Sequence, residues 1–349
     1  MSSLCLQLDG DLWMFDCGEG TQHQIRKSEC SLKASKIQAI FITHNHGDHL
    51  FGLPGLLCTL SGGITEEGRI INIYGPSGLR QYLRIALGTS YSMMNYSIRV
   101  HELVTTEMPP SCGVDGALPF ELPGQDIYPT NGIWTIESPD KRIKKIVAGP
   151  LQHTVPSVGY VITEDSLPGS LNANAVKPLL MKNKAGLAER GIKNPMMLMK
   201  DIKEGKTIDL PDGTKISPAD VVGPEKKGRK IVILGDTSES SSLLEESQNC
   251  DVLVHEATNA KVGDEEKSFA EVEQSAISHG HSTPQMAGRY AKDINAKWLM
   301  LNHFSSRYKG DQSEESKQIM NQIESLAMSV FPGNVTATYD FQTLNIPRP

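Results

Sequence analysis

No stretch of the 349 residues comes near the roughly 18 consecutive apolar residues that a membrane helix needs. A spanning helix is therefore not expected. The amino-terminal stretch has no basic head before its short apolar run and meets a carboxylate at Asp9, which argues against a secretory or transit leader and makes cytosol or nucleus the expected compartment. Cysteine is scarce. The six, at positions 5, 17, 30, 58, 112 and 250, show no C-x-x-C spacing, so neither a disulfide framework nor a thiolate zinc knuckle is expected, and they read as reduced thiols. Positive charge is also short: 34 Lys and Arg stand against 41 Asp and Glu, a net −7. A nucleic-acid enzyme would have to overcome that locally, because phosphate binding rewards positive charge. With 38% hydrophobic and 21% charged residues, the chain reads as globular, with length for a sizeable core and for one large or two ordinary domains.

What is present is concentrated in Thr43-His44-Asn45-His46-Gly47-Asp48-His49. An apolar run at 37–42 precedes it and reads as a buried strand; Leu50-Phe51-Gly52-Leu53-Pro54 follows and reads as the start of a helix. His44 and His46, two apart, point the same way if strand geometry persists. Gly47 then lets the chain turn, so that Asp48 and His49 face a second point. This is a layout for two metal ions. Imidazole and carboxylate suit zinc, and the lack of cysteine in the cluster argues against a closed structural site.

Further along, apolar strands repeatedly deliver polar residues at their ends, where α/β proteins gather their chemistry. Residues 230–234 lead to Gly235-Asp236-Thr237, 251–254 to His255-Glu256-Ala257-Thr258, and 297–301 to His303. Asp9-Gly10-Asp11 marks a hairpin between strands at 4–8 and 12–15, followed by a short helix at 21–27 that exposes His23. Strands are expected at 70–76, 97–104, 132–138, 143–148 and 158–163, and helices at 78–87 and 283–292. The Pro- and Gly-rich residues 105–125 read as a surface loop. His101, alternating with valine and leucine, reads as structural. On the residues alone Asp16 reads as a turn carboxylate, and His153, on spacing alone, as a core histidine. Between 177 and 206 eight basic residues face three acidic ones, and 141–145 and 226–230 add two basic clusters. These are either solvated loops or an RNA contact.

The H-x-H-x-D-H pattern is the signature of the metallo-β-lactamase superfamily. With Phe15-Asp16-Cys17-Gly18-Glu19-Gly20-Thr21, Gly52-Leu53-Pro54-Gly55, Leu234-Gly235-Asp236-Thr237, His255-Glu256-Ala257-Thr258, His281-Ser282-Thr283 and His303-Phe304-Ser305-Ser306-Arg307-Tyr308, the chain resembles short-form tRNase Z. That is the zinc endoribonuclease which trims the 3′ end of tRNA precursors. The resemblance runs along nearly the whole chain, in the family's order.

It implies an α/β fold, a four-layer αββα sandwich with the metals at one edge, over a single domain 1–349. Residues 167–223 would be an inserted basic arm that grips the tRNA body. It also implies two zinc ions per chain, the first held by His44, His46 and His153, the second by Asp48, His49 and His303, with Asp236 bridging. Asp48 would act as base, and the aspartate position occupied by Asp16 would steady the metal loop. His281, polarised by Glu256, is the candidate for the acid towards the leaving ribose oxygen or for stabilising the crowded phosphorane. Arg307 and Tyr308 either touch RNA or buttress the ligand loop, and a homodimer is expected. Two departures stand out. The family places a further strand and a Gly/Pro loop ahead of the hairpin, so the first sheet is expected to lack one strand. The usual Gly/Pro-rich arm motif is replaced by Gly191-Ile192-Lys193-Asn194-Pro195-Met196-Met197, whose methionines could instead pack as a small amphipathic helix or bind a partner. The competing functions are a small-ester hydrolase of the same superfamily, lactonase- or thioesterase-like, and a catalytically impaired RNA-binding homologue.

Overall fold

The computed structural model describes residues 2–8, 10–28, 32–111, 116–263, 267–311 and 313–348. Asp9 of the hairpin turn, Cys30 and Cys112 lie outside the described residues. The chain divides into two compact units, Met1–Thr163 with Lys230–Ile346, and Glu164–Arg229 with Pro347–Pro349.

In the first unit, strands β1 (Leu4–Leu8), β2 (Asp11–Phe15), β3 (Ile37–Phe41), β4 (Ile70–Pro76), β5 (Ser97–Leu103), β6 (Glu121–Leu122) and β7 (Asp126–Ile127) form one sheet. They follow in chain order, with β6 and β7 both paired to β5. A second sheet contains β8 (Trp134–Ile136), β9 (Ile143–Leu151) and β10 (Ser157–Glu164). After β11 (Ile208–Asp209) and β12 (Lys215–Ile216), which pair with each other in the second unit, it continues with β13 (Lys230–Ile233), β14 (Val252–Glu256), β15 (Trp298–Asn302) and β16 (Asn334–Ala337). The β1–β2 hairpin pairs antiparallel, and β2 to β5 run parallel. Parallel strands covered on both faces read as continuous apolar runs rather than alternating ones, as at 37–42 and 230–234.

The alternation is still present, hidden inside those runs, because successive side chains leave a strand on opposite faces. Trp13 and Phe15 of β2, Phe41 of β3, Ile231 and Ile233 of β13, and Val252 and Val254 of β14 fill the layer between the sheets. Their neighbours Leu12, Met14, Ile40 and Ile73 pack instead with Leu53, Leu56, Leu57, Leu79 and Leu83 from helices Leu53–Leu60 and Leu79–Thr89. On the far side Val232, Leu253, Leu299 and Leu301 meet Ala287, Tyr290, Ile323 and Ala327 from helices Pro284–Asp293 and Glu314–Met328. Helix, sheet, sheet and helix thus make the four expected layers. Each buried Leu, Ile or Phe contributes about 1.5–3 kcal/mol relative to exposure.

Two boundaries differ from expectation. Residues 105–125 are not wholly loop: β6 pairs with β5, and buried Glu102 draws the segment in by accepting from Ser111 N (2.8 Å) and Ser111 Oγ (2.7 Å). Strand β14 runs on to Glu256, so His255 and Glu256 belong to the sheet edge rather than to a loop. His101 is structural as expected, buried and stacked on Tyr74. Among the described residues no helix is long and apolar enough to cross a membrane.

The second unit has its own core of Val176, Leu180, Leu187, Leu198, Ile202, Leu210 and Ile216, drawn from helices Ala173–Lys182, Lys184–Glu189 and Leu198–Lys203 and the β11–β12 ribbon. Met196 and Met199 pack partly against it, while Met181 and Met197 are exposed. Some of the methionines therefore complete a small core.

Candidate metal centre and acid–base pair

The site begins where β3 ends. Ile42 N–H donates to Tyr74 O and Val158 N–H to Thr43 O, so the chain leaves one sheet and bridges to the other at His44 and Ser157. His46 precedes the single-turn helix Gly47–Leu50. The turn is clamped from below by the 17–18 backbone: Cys17 N–H donates to His49 O (2.7 Å) and Gly52 N–H to Cys17 O (2.9 Å). A Cβ on Gly52 would lie 2.0 Å from Gly18 O, so glycine is required there. Asp16, in the left-handed region at φ 58, aims its carboxylate into this loop. It accepts from Thr43 N (2.7 Å), Thr43 Oγ1 (2.9 Å) and His49 Nδ1 (2.7 Å). It therefore fixes the loop rather than serving as a bare turn carboxylate, and it sets the His49 tautomer so that Nε2 faces the cluster.

All seven expected ligands converge. His44, His46 and His153 present ring nitrogens within 4.8 Å of one another, and Asp48, with a carboxylate oxygen, joins ring nitrogens of His49 and His303 in the same way. Asp236 lies between them, with Oδ2 3.9 Å from His44 Nε2, 3.5 Å from His49 Nε2 and 3.3 Å from His303 Nε2. Spacing alone could not assign His153. In the fold its loop is bridged to Glu239 through Gln152, its Nδ1 donates to Gly280 O (2.7 Å), and its Nε2 comes 3.2 Å from His46 Nδ1. The donor set also fits a cation on a physical test. His44 Nε2 and His49 Nε2 are buried with no hydrogen-bond partner among the described residues, a costly arrangement for polar atoms unless a metal uses their lone pairs. Imidazole and carboxylate donors with no thiolate suit zinc.

The electrostatics agree. Burial pushes His44 down to about 2, keeping it a neutral lone-pair donor. At His49 burial opposes charge, but Asp16 and Asp236 outweigh it and lift the group to about 10. Loading a metal must therefore displace a proton from His49. Asp48, hydrogen-bonded by His303, and Asp236, opposed by burial but held by His49, are both pushed well below the usual carboxylate range.

Beside the ligands sits the second pair. His281 Nδ1 lies 3.0 Å from Glu256 Oε1, and this carboxylate raises the imidazole against the opposing effect of burial. Glu256 is itself buried and held by Thr237 N (2.8 Å) and Thr258 N (3.2 Å). His255 points away, neutral and buried near Tyr290, with Nδ1 donating to Glu256 O; it forms no ion pair with Glu256. His279 is exposed on its own helix. Thr258 was not singled out from the sequence, yet its hydroxyl lies 2.5 Å from Glu256 Oε2, 2.9 Å from His303 Nδ1 and 3.3 Å from His281 Nδ1. The available signal was its place two residues beyond Glu256, where the chain leaves β14. Arg307 and Tyr308 do buttress this loop: both reach Ala260 O at 2.9 Å.

The basic clusters divide. Arg142 is bound to Asp140 and Asp11, Lys145 to Glu246, and Arg229 to Glu164, while Lys230 Nζ donates to two backbone carbonyls. Half of the basic side chains in 141–145 and 226–230 are therefore engaged internally, while Lys141, Lys144, Lys226 and Lys227 are exposed with no carboxylate within 4 Å among the described residues. In the second unit Lys177, Lys184, Lys193 and Lys203 are exposed with no carboxylate within 4 Å among the described residues.

Comparison with known proteins follows the same lines. The family described as anti-Pycsar protein Apyc1 matches residues 1–91. The chain is 36% identical to ribonuclease Z of Bacillus subtilis over 97% of its own length and 89% of that protein. It is 38% identical to zinc phosphodiesterase ELAC protein 1 of Bos taurus, over 99% and 93%. The crystal structure of human tRNase Z, short form, superposes with a TM-score of 0.62 at 31% identity, covering 99% of this chain and 92% of that one. The metallo-β-lactamase fold protein YhfI of Bacillus subtilis, 14% identical with a TM-score of 0.52, shares the fold. Identity of this level along essentially the whole length, over a site with every ligand position filled, places the chain in the ribonuclease Z family of the metallo-β-lactamase superfamily.

Proposed function

We propose that this chain is a zinc-dependent endoribonuclease that cuts tRNA precursors at the 3′ end of the tRNA, releasing the trailer. The observation that carries the reading is the pairing of two ligand groups around Asp236 with a Glu256–His281 couple at their rim, the carboxylate buried and the imidazole partly exposed. Expulsion of a ribose 3′-oxygen needs a proton donor, which this couple can supply, whereas a thiolate leaving group would not call for one.

Two ions per chain are assigned. His44, His46 and His153 would hold the first, Asp48, His49 and His303 the second, with Asp236 between them. Zinc supplies Lewis acidity, making water a better nucleophile near neutral pH and offsetting the charge on phosphate oxygens. Asp48, 44% exposed at its side chain and ionised, orients the attacking water and accepts its proton. His281, whose affinity for a proton Glu256 raises against burial, donates from its other nitrogen to the departing 3′-oxygen as the P–O3′ bond breaks. Thr258 and Asp16 hold the participating imidazoles in place. The products are a tRNA with a 3′ hydroxyl and a trailer with a 5′ phosphate.

The second unit, 164–229, is assigned as the arm that contacts the tRNA body, with Lys177, Lys184, Lys193 and Lys203 available to phosphates. A homodimer is assigned by analogy with short-form enzymes. The deciding experiment is single-turnover cleavage of a tRNA precursor bearing a 3′ trailer, with Asp48→Ala in parallel and zinc measured on both proteins. Cleavage at the tRNA end that disappears in the variant supports the reading. A folded, zinc-loaded protein that leaves the precursor intact rejects it.

A further inference from the structure

One margin of the layer between the two sheets is polar. There Asn72 and Tyr74 of β4 and Arg99 and His101 of β5 face a cleft of about 310 Å³, with Glu137 and Ser138 from the β8–β9 connection on the other wall. A cleft of this size is at the lower end of those that take small molecules. None of these side chains belongs to the metal centre.

The hydrogen-bonding character of the floor follows from one histidine. Phe15, Phe41, Tyr74 and His101 are register neighbours on consecutive strands, and their rings stack in a column with centroids 4.9, 5.0 and 4.6 Å apart. His101 is the polar end of that column. Burial, with Arg99 and Arg80 nearby, pushes it down to about 4, so the ring is neutral. Gln125 N–H donates to its Nδ1 at 3.3 Å, so the ring proton sits on Nε2, which faces Asn72 Oδ1 at 3.4 Å. With its oxygen engaged by that N–H, Asn72 turns its amide nitrogen, two donors, to the cleft. The Tyr74 hydroxyl adds a third donor, since burial lifts it to about 12 and it stays protonated. Half-buried Arg99 adds a guanidinium with no carboxylate within 4 Å and no hydrogen-bond acceptor among the described residues. One wall is thus all donors and positively charged, while Glu137 and Ser138 opposite provide acceptors.

We propose that this cleft binds a small organic oxyanion, a phosphate monoester or a carboxylate, that also carries a hydroxyl or amine. The oxyanion sits on Arg99, whose planar fork suits two oxygens at once, and is flanked by the Asn72 amide and the Tyr74 hydroxyl. The ligand's own donor meets Glu137. A bare anion satisfies only half of the site and meets repulsion from Glu137.

The test is calorimetric titration of the zinc-loaded full-length protein with adenosine 5′-monophosphate, citrate and inorganic phosphate, comparing wild type with Arg99→Gln, Tyr74→Phe and Glu137→Gln. Phosphates also meet the metal centre, so the informative quantity is the binding that depends on Arg99. Arg99→Gln should weaken the nucleotide or citrate at least tenfold, and Tyr74→Phe about threefold, while precursor cleavage stays at the wild-type rate. Glu137→Gln should bring inorganic phosphate up towards the organic ligands. A nucleotide preference identifies the phosphate monoester as ligand class and a citrate preference the carboxylate. Superimposable isotherms for wild type and Arg99→Gln with all three ligands overturn the proposal. Should Arg99→Gln not fold, unchanged binding in Tyr74→Phe, which keeps the ring stack intact, does the same.

Discussion

Replacing Thr258 by valine would remove one hydroxyl and leave the side-chain shape nearly unchanged. That hydroxyl has one proton and two acceptors within reach, Glu256 Oε2 at 2.5 Å and His303 O at 2.9 Å; the closer, charged oxygen takes it. Its lone pair then receives the proton of His303 Nδ1 at 2.9 Å, which turns His303 Nε2, 3.3 Å from both Asp48 and Asp236, towards the position a metal would take. Glu256 keeps Thr237 N, Thr258 N and His281 as partners, so its loss is small. His303 Nδ1–H, half-buried and on a residue held at φ 54, would lose its acceptor. An unsatisfied donor costs about 1–3 kcal/mol; partial exposure puts this case near 2 kcal/mol, or about 30-fold in an equilibrium constant. The ion held by Asp48, His49 and His303 should weaken by about that factor, within the 10- to 100-fold range usual for partners behind a metal ligand. The ion held by His44, His46 and His153 should be little affected. Competition with a chromophoric chelator reads both affinities, and precursor cleavage should fall in step with the weaker one. Two zinc affinities within threefold of wild type, together with unimpaired cleavage, would refute the relay.

Asp16→Asn should weaken zinc 10- to 100-fold, because an amide cannot accept at once from Thr43 N, Thr43 Oγ1 and His49 Nδ1; chelator competition again measures it. Gly235→Ala places a Cβ 2.6 Å from the Thr43 Cβ and 2.9 Å from its hydroxyl, so a loss of about 1–3 kcal/mol in urea unfolding is expected, with weaker zinc. Stripping the metal with a chelator should lower the melting temperature and zinc should restore it, since ligand binding to the folded state alone is stabilising. In the second unit, buried Glu164 takes Arg229 Nη2 at 2.6 Å and Arg348 Nη2 at 3.3 Å, and these guanidiniums hold it below its ordinary range against the opposing effect of burial. A depressed carboxylate contributes stability above its unfolded value of about 4.3 and loses it as pH falls through the folded value. Wild type and Glu164→Gln should therefore differ in urea midpoint at pH 6 and converge in acid.

What the sequence revealed and what it hid differ by the range of the physics involved. The hairpin strands expected at 4–8 and 12–15, found at Leu4–Leu8 and Asp11–Phe15, and the clustered ligand residues at 44–49 are local, and the structure places them where local rules put them. The delivery of Asp236, Glu256 and His303 at strand ends was also legible, because a buried strand that stops at a polar residue has few other reasons to do so. His153 was not, since its closeness to His46 depends on how two sheets meet 107 residues apart in sequence. The same distance effect misled the reading of charge. Lys145 looks free in sequence, but its acid lies 101 positions away at Glu246; Arg142 pairs with its neighbour Asp140 and also with Asp11, 131 positions away, and a partner that remote leaves no trace in local composition. In the second unit Lys177, Lys184, Lys193 and Lys203 keep the exposed, unpaired character among the described residues that a net −7 chain needs for phosphate contact. This makes Lys184→Glu with Lys193→Glu the sharper test of substrate engagement. If those lysines meet the tRNA body, the pair should raise KM severalfold and flatten the salt dependence while sparing kcat. If instead kcat falls at unchanged KM, the lysines act on the chemical step or on the fold, and the assignment of 164–229 as the tRNA-contacting unit fails.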